Sequence, residues 1–228
     1  MSSSRTLHPT ISHVDLTANS HAAAAVFVDR DGVVNEQQTG KYVHSWQDFV
    51  FLPEVLDAFV ALKRADTPTY IVTNQGGVGR GFLSAASLHD IHDRMVQIIR
   101  SAGGRVDAII HCPHAPTAGC PCRKPRPGML FALADRFGIQ PRDATFIGDN
   151  VTDLEAGRDA GCTTVLVATG EGRRSAERLG LPAFQASPGA AAESVTSHAM
   201  PGLIGMAPTL SAAVNLVLAM RRSHPTTE

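Results

Sequence analysis

Residues 24–34, AAVFVDRDGVV, decide the fold of this chain. The first half of the stretch is an apolar, β-branched run of the kind that forms a strand buried on both faces. The second half changes at once to Asp29, Arg30 and Asp31 and then to a glycine, which marks the end of the strand. Two carboxylates at positions i and i+2 after a buried strand can point into one crevice, where they repel each other unless a cation or a proton separates them.

Short apolar runs alternate with longer amphipathic ones after this stretch. The apolar runs predict strands, and the amphipathic runs have helical spacing with capping residues at their starts. Alternating strands and helices predict an α/β fold, with a Rossmann-like parallel sheet and helices on both faces. The predicted strands are residues 24–29, 69–74, 107–112, 144–149 and 164–169, and the predicted helices are 53–65, 84–104, 127–138, 152–161 and 171–180.

The periodic pattern covers only the middle of the chain. Residues 1–22 are rich in Ser, Thr and His without a period, and we expect a mobile N-terminal segment. Residues 23–180 carry the strands and helices of the predicted domain. Residues 181–206 are rich in Ala, Ser, Gly and Pro and resemble a linker, whereas 207–228 predict an amphipathic C-terminal helix and a tail.

Composition excludes several classes of partner. The chain has 228 residues, a formal net charge of -1 and a pI near 6.8, so it has no long-range field to attract nucleic acid. No apolar run is long enough to span a bilayer, and the N-terminus lacks the pattern of a secretory signal. We therefore expect a cytoplasmic protein without a nucleic-acid or membrane partner.

Polar groups follow several of the predicted strands. Carboxylates suit a hard cation, and a hydroxyl, an amide and a lysine suit an anion. Each group alone has an ordinary explanation as a turn, a helix cap or a solvated side chain. The probability that all of these explanations hold at once is the product of the separate probabilities, which is small. Together they predict a magnesium and phosphate site formed by Asp29, Asp31, Thr73, Asn74, Gln75, Lys124, Asp149 and Asp153.

Residues 112–122, CPHAPTAGCPC, hold three of the four cysteines and one histidine. Cys112, His114, Cys120 and Cys122 offer three thiolates and an imidazole, which is a ligand set of closed structural zinc sites. A reducing compartment disfavours the alternative of a disulfide, and a redox centre lacks its usual CxxC spacing. The composition favours structural Zn²⁺, which would also fix the Arg-Lys pair that follows the loop.

DRDGVV, TN, RKP and GDNVTD, in this order, resemble the four motifs of the haloacid dehalogenase superfamily of aspartate-nucleophile phosphatases. The resemblance runs from about Val26 to Gly172 and implies a haloacid dehalogenase-like fold. It implies that Asp29 attacks phosphorus and that Asp31 serves as general acid and then base. Lys124 would offset the negative charge of the nucleophile and of the transferring group.

The same resemblance implies the remaining roles in this site. Asp29, Asp149 and the backbone carbonyl of Asp31 would hold Mg²⁺. Thr73 and Asn74 would bind the phosphoryl oxygens, while Asp153 would orient the lysine or the waters of the metal.

A cysteine loop placed just before RKP resembles the heptose 1,7-bisphosphate phosphatases and the related histidinol-phosphate phosphatases, with a small zinc-bound loop instead of a large cap domain. The segment TNQGGVGRG (73–81) is closer to the heptose enzymes. The resemblance implies Mg²⁺-dependent hydrolysis of the 7-phosphate of the heptose bisphosphate, a small-molecule substrate, and a monomer is the default for this fold family. Its specificity candidates are Asn35, Gln75, Arg80, Arg123 and Lys124, with Arg123 suited to the distal phosphate because a guanidinium grips it bidentately.

Two other functions stay open at this point. Histidinol-phosphate phosphatase shares the mechanism, and a non-catalytic zinc-stabilised module for binding nucleic acid or protein belongs to a different class. Near-neutral charge and the complete set of acids count against the binding module. His89 and His92 lie on a predicted helix without evident partners, and we expect ordinary surface or core histidines rather than ligands.

Overall fold

The structure is a computed structural model that describes residues 8–14, 24–37, 43–183, 190–194 and 200–223. Eight strands form one sheet in these residues. The strands are β1 (Thr10–Ser12), β2 (Val26–Val28), β3 (Thr69–Asn74), β4 (Ala108–Cys112), β5 (Thr145–Gly148), β6 (Thr163–Val167), β7 (Glu193–Ser194) and β8 (Leu203–Ala207).

Strand β2 lies inside the sheet, whose order is β1-β4-β3-β2-β5-β6-β8-β7. Val28 of β2 pairs with Ile71 of β3 on one side and with Ile147 of β5 on the other, parallel in both cases. The chain builds outward from β2 through β3 to β4 and then returns to add β5 and β6 on the opposite side. The strand order therefore reverses between β2 and β5, and open α/β sheets bind their ligands at such a switch point.

The described residues form seven α-helices, and five of them pack on the two faces of the sheet. One face carries α1, α3 and α7, and the other carries α4 and α5. Val26 and Val28 of β2 point into the first layer and Phe27 into the second, because successive strand residues face opposite sides. The helices are α1 (Val55–Arg64), α2 (Gly76–Gly79), α3 (Ala85–Ser101), α4 (Gly128–Phe137), α5 (Val151–Ala160), α6 (Gly172–Arg178) and α7 (Leu210–Ser223).

The predicted α/β architecture is confirmed, with three strands that the sequence pattern did not reveal. Within the N-terminal segment, β1 pairs antiparallel with β4, and Ile11 lies opposite Ile110. Within the linker-like segment, the run LIGMA forms β8, which pairs parallel with β6 and antiparallel with β7. Strands β1 and β7 have only three and two residues, and β8 has a glycine at its centre, so their pattern is too weak to read without the sheet that they complete.

The C-terminal helix α7 packs against α1, burying Leu210, Val214 and Val217 in the first layer. Residues 1–7, 15–23, 184–189, 195–199 and 224–228, which belong to the predicted terminal and linker-like segments, lie outside the described residues. Among the helices that the structure describes, none combines the length and apolar character needed to cross a bilayer.

Candidate active site

Asp29 and Lys124 meet at the carboxyl end of β2. Asp29 is 8% exposed, and its Oδ1 accepts a hydrogen bond from the backbone N–H of Arg30 at 2.7 Å. The Lys124 Nζ lies 2.7 Å from Asp29 Oδ1 and 2.7 Å from Asp153 Oδ1, and it donates to the carbonyl of Val72 at 3.0 Å. Burial lowers the pKa of Lys124, but Asp153 and Asp29 outweigh it and raise that pKa above its ordinary value.

Asp149 brings a third carboxylate to the same place from the end of β5. Its Oδ2 accepts a hydrogen bond from the backbone N–H of Glu171 at 2.7 Å. Carboxylate oxygens of Asp29, Asp149 and Asp153 lie within 4.8 Å of one another. Burial, reinforced by the neighbouring carboxylates, raises the pKa of Asp149 well above its ordinary value. Burial likewise raises the pKa of Asp29 to about 7, although Lys124 opposes the shift.

The raised pKa values of Asp29 and Asp149 indicate that the site favours additional positive charge. Three carboxylates face one ammonium group, so the ionised cluster carries an excess of two negative charges in a poorly solvated place. Carboxylate oxygens are the ligands that Mg²⁺ prefers. The donor set and its charge therefore fit Mg²⁺.

Two glycines bring the backbone close to Asp149. A Cβ atom on Gly32 or on Gly170 would overlap the Asp149 carboxylate, and the two residues have φ angles of 88° and 55°. Glycine adopts such angles without the steric cost that other residues carry. Both positions therefore need glycine for conformation and for space.

Asp31 has a different environment, made of hydrogen-bond donors. Arg30 Nη2 donates to its two oxygens at 2.7 and 2.9 Å, Asn35 Nδ2 donates at 3.0 Å and Gln75 Nε2 at 2.8 Å. Burial raises the pKa of Asp31, but the Arg30 charge and these hydrogen bonds outweigh it and lower the pKa below its ordinary value. Asp31 is consequently ionised at neutral pH, whereas Asp29 is near its midpoint.

The guanidinium that clamps Asp31 is itself fixed from behind. Arg30 is 1% exposed, and its Nη1 lies 3.2 Å from Nε2 of His92, a buried residue of α3. Burial lowers the pKa of His92 well below its ordinary value, so Nε2 of the neutral ring accepts the hydrogen bond. Arg30 was not among the predicted site residues. Its position between Asp29 and Asp31 in the sequence was the available signal. The direction of its side chain, which turns back toward His92, is decided only by packing.

The polar residues after β3 divide between the cavity and the lysine. Thr73 lines the cavity, and its Oγ1 accepts a hydrogen bond from Gln75 Nε2 at 2.9 Å. Asn74 donates to the Lys124 carbonyl and accepts from the Lys124 backbone N–H, both at 3.1 Å. The Asn74 side chain is therefore a clamp on the lysine backbone, a role that the sequence resemblance did not include.

A cavity of about 440 Å³ opens above these groups. Arg123 lines it, and the buried Nη1 of this residue has no hydrogen-bond partner in the described part of the chain. Two expected specificity residues do not line the cavity. Arg80 is exposed with its guanidinium 5.6 Å from the ring centroid of Phe82, and Asn35 is fully buried beneath Asp31. Other lining residues, none of them among the predicted site residues, are Gln37, Val43, Asn150 and Thr152.

The four cysteine-loop residues converge as one cluster. Cys112 Sγ lies 3.5 Å from Cys120 Sγ and 3.4 Å from Cys122 Sγ. His114 Nδ1 lies 3.4 Å from Cys112 Sγ and 3.2 Å from Cys122 Sγ. All three cysteines are free thiols. Sulfur atoms so placed are too far apart for a disulfide, whose bond is about 2.05 Å, and they suit tetrahedral Zn²⁺, with Zn–S bonds of about 2.3 Å.

Backbone contacts attach this loop to the active site. The N–H of Gln75 donates to the Cys112 carbonyl at 2.8 Å, and the N–H of Gly79 donates to the Pro113 carbonyl at 2.7 Å. A Cβ on Gly79 would lie 2.6 Å from the backbone nitrogen of Ala115. The glycines of the short helix α2 thus allow two backbones to touch, and the cysteine loop is packed against the turn that carries Thr73 and Gln75.

Comparison with known proteins adds three findings. The profile of a family described as HAD-hydrolase-like matches residues 121–197. The D-glycero-beta-D-manno-heptose-1,7-bisphosphate 7-phosphatase of Bordetella bronchiseptica is 43% identical over 157 residues, which are 69% of this chain and 87% of that protein. The D-glycero-alpha-D-manno-heptose-1,7-bisphosphate 7-phosphatase of Campylobacter jejuni is 35% identical over 147 residues, 64% of this chain and 83% of that protein.

A solved structure agrees with the sequence relatives. The crystal structure of the B. bronchiseptica D,D-heptose 1,7-bisphosphate phosphatase, complexed with magnesium and phosphate, superimposes with a TM-score of 0.75 and 36% sequence identity. The superposition covers 86% of this chain and 99% of the other. The similarity therefore extends over most of this chain.

Proposed function

This chain belongs to the haloacid dehalogenase-like hydrolases, in the family of the heptose 1,7-bisphosphate 7-phosphatases, and we propose that it hydrolyses the 7-phosphate of D-glycero-D-manno-heptose 1,7-bisphosphate. The observation that carries the proposal is the buried Asp29 carboxylate, which lies 2.7 Å from Lys124 and within 4.8 Å of Asp149 at a cavity floor. Membership in this family also counts against a non-catalytic binding module.

Asp29 is the nucleophile in this proposal. Its carboxylate attacks the phosphorus of the 7-phosphate and forms an aspartyl-phosphate, while the bond from phosphorus to the sugar oxygen breaks. Water then attacks the same phosphorus, releases inorganic phosphate and restores Asp29. Lys124, held between Asp29 and Asp153 at 2.7 Å from each, offsets negative charge on the nucleophile and on the phosphoryl group.

Asp31 moves the protons in both steps. The donors around it keep it ionised in the absence of substrate. Entry of the phosphate dianion adds negative charge nearby, which raises the pKa of Asp31 and lets it take up a proton. That proton goes to the leaving sugar oxygen in the first step, and Asp31 removes a proton from the attacking water in the second.

The remaining groups hold the phosphate. Thr73 already accepts a hydrogen bond from Gln75, so its hydroxyl proton is directed to a phosphoryl oxygen. Asp29, Asp149 and the backbone carbonyl of Asp31 would hold Mg²⁺, which would neutralise phosphate charge and let a carboxylate approach. Cys112, His114, Cys120 and Cys122 would hold a structural Zn²⁺ that fixes the loop leading to Lys124.

Substrate choice rests on the second phosphate and on the anomer. Arg123 offers a guanidinium to the 1-phosphate from the cavity wall. Histidinol phosphate carries an ammonium group instead, which this guanidinium would repel. We propose the β anomer as the preferred substrate because relatives at 43% and 40% identity are named for it, whereas relatives named for the α anomer are 35% and 38% identical.

The test is phosphate release in the presence of Mg²⁺ from the β and α heptose bisphosphates and from histidinol phosphate at equal concentrations. We expect the β heptose bisphosphate to give the highest kcat/KM. Preference for the α anomer would overturn the anomer assignment alone, and preference for histidinol phosphate would overturn the substrate class. No release from any of the three would overturn the proposed function.

The role of Arg123 has a matched control in Arg80, which is exposed and does not line the cavity. Loss of a charge-assisted bidentate contact predicts that Arg123→Gln raises KM for the bisphosphate by about tenfold or more. KM for heptose 7-phosphate, which lacks the distal group, should not change. Arg80→Gln should leave both values as in the wild type. An equal effect of Arg123→Gln on the two substrates would contradict the assignment.

A further inference from the structure

Three potential metal ligands meet on the outer side of helix α3, away from the cavity and the cysteine loop. His89 and Asp93 are one helical turn apart on this helix, and His13 reaches them from the segment after β1. Asp93 Oδ1 lies 2.6 Å from His13 Nε2, and its Oδ2 lies 3.3 Å from His89 Nε2. One nitrogen of each ring and a carboxylate oxygen lie within 4.8 Å of one another.

The geometry brings both imidazoles to the same carboxylate. The rings of His13 and His89 are stacked, with centroids 5.3 Å apart and an interplanar angle of 26°. Both rings place Nε2 beside the Asp93 carboxylate, one near each oxygen. His13 side-chain exposure is 13%, Asp93 exposure is 38% and His89 exposure is 62%, so an ion could enter from solvent and keep bound water.

The spacing of the donors suits a first-row transition metal. Tetrahedral ligands at about 2.1 Å from Zn²⁺ lie about 3.4 Å from one another, and the pair His89–Asp93 is 3.3 Å apart. The pair His13–Asp93, at 2.6 Å, would need to open by about 0.8 Å to reach that spacing. Two imidazoles with one carboxylate select Zn²⁺ or Co²⁺ over Mg²⁺ and Ca²⁺, which favour oxygen ligands.

We propose that His13, His89 and Asp93 form a surface site for a divalent transition-metal ion, and that the bound ion ties the segment after β1 to helix α3. The sequence predicts an ordinary histidine at position 89, because its own helix offers no evident partner. The partner comes from residue 13, which β1 brings close by pairing with β4. The alternative is a carboxylate that only hydrogen-bonds to two imidazoles, and this arrangement would bind no metal.

The experiment is a Co²⁺ titration of the zinc-loaded full-length protein in excess Mg²⁺, followed by visible absorption. We expect one Co²⁺ ion per chain with ligand-field bands and without the thiolate-to-cobalt charge-transfer band that would report exchange into the cysteine loop. His89→Ala and Asp93→Asn should each weaken this binding by at least tenfold. Asp90→Asn is the matched control, because Asp90 is an exposed carboxylate of the same helix that pairs with Arg94.

Absence of saturable Co²⁺ binding, or equal binding by the wild type, His89→Ala and Asp93→Asn, would overturn the site. His13→Ala tests the tie to the N-terminal segment separately. In the wild type, bound Co²⁺ should slow proteolytic cleavage of the chain before residue 24. We expect His13→Ala to weaken Co²⁺ binding by at least tenfold and to abolish this protection. Unchanged binding in His13→Ala would overturn the tie and the inclusion of His13. None of these readouts depends on phosphatase activity.

Discussion

The carboxylate cluster and the cysteine loop lie at the same edge of the sheet but are built in opposite ways. Asp29, Asp149 and Asp153 come from positions up to 124 residues apart and meet only because β2 and β5 are neighbours. The cysteine ligands all come from the 11 residues 112–122. The first cluster offers oxygen to a hard ion in an open cavity, and the second offers nitrogen and the sulfur of buried cysteines in a loop whose other residues are largely exposed.

The difference suits the carboxylate cluster to catalysis and the cysteine loop to structural support. The carboxylate cluster keeps an excess of negative charge that the surrounding protein does not neutralise, so it is suited to bind a cation and a phosphate reversibly. The four donors of the cysteine loop converge, so a metal ion held by all of them would have no open position for a substrate. We therefore expect loss of the first cluster to abolish turnover and loss of the second to loosen the structure.

The largest effect should come from Asp29→Asn. An amide cannot form the acyl phosphate, so kcat should fall by about 10³-fold or more. Zinc content should remain that of the wild type, because Asp29 does not belong to the cysteine cluster. Phosphate release and metal analysis on the same sample measure the two regions together. Substantial residual turnover, or loss of zinc, would break the separation between them.

Cys122→Ser should produce the second largest effect. Removing one of four ligands should eliminate bound zinc and lower Tm by about 10 °C, because binding energy of a structural metal is folding energy. Lys124 follows two residues later, so kcat should fall by about tenfold. Added Mg²⁺ should not restore either value. Cys162→Ser is the control, since Cys162 is buried outside the cluster; equal zinc loss in both variants would contradict the ligand assignment.

The smallest effect concerns pH and the metal-free carboxylates. Because the folded-state pKa of Asp29 is raised to about 7 from an ordinary value of 3.8, the folded protein binds more protons between these values than the unfolded chain. Stability contributed by this group is present below pH 3.8 and is lost as the pH rises through 7. Mg²⁺ competes with these protons, so its stabilising effect should increase over the same range.

Thermal unfolding with and without Mg²⁺ at pH 5.5 and 8.5 measures this competition. At about 100 times Kd the ion adds about 2.7 kcal/mol, or about 5–10 °C in Tm, and we expect that increment at the higher pH only. Asp29→Asn should reduce the pH dependence of the increment. The same increment at both pH values in the wild type would show that the ion does not compete with protons at this cluster.

Three of the four motifs were readable because each lies where a buried strand ends. Asp29 and Asp149 could be placed together from the alternating pattern alone, since parallel strands end at one edge. Lys124 lies 12 residues beyond Cys112, the last residue of β4, and the intervening loop returns it to that edge. Arg80 and Asn35 could not be placed. Both belong to the segments that carry the motifs, but one side chain turns outward against Phe82 and the other turns beneath Asp31. Short-range spacing does not determine such directions in loops.

What the sequence by itself determined is the chemistry and its topology: a parallel sheet, acids and a lysine at its edge, and a compact set of soft ligands. Hydrophobic period and local ligand spacing carry that information within a few consecutive residues. Tertiary structure alone decided that His92 fixes Arg30, that Asn74 clamps Lys124, and that His13 meets Asp93. These contacts join residues between 50 and 80 positions apart, and their partners are set by the packing of whole elements.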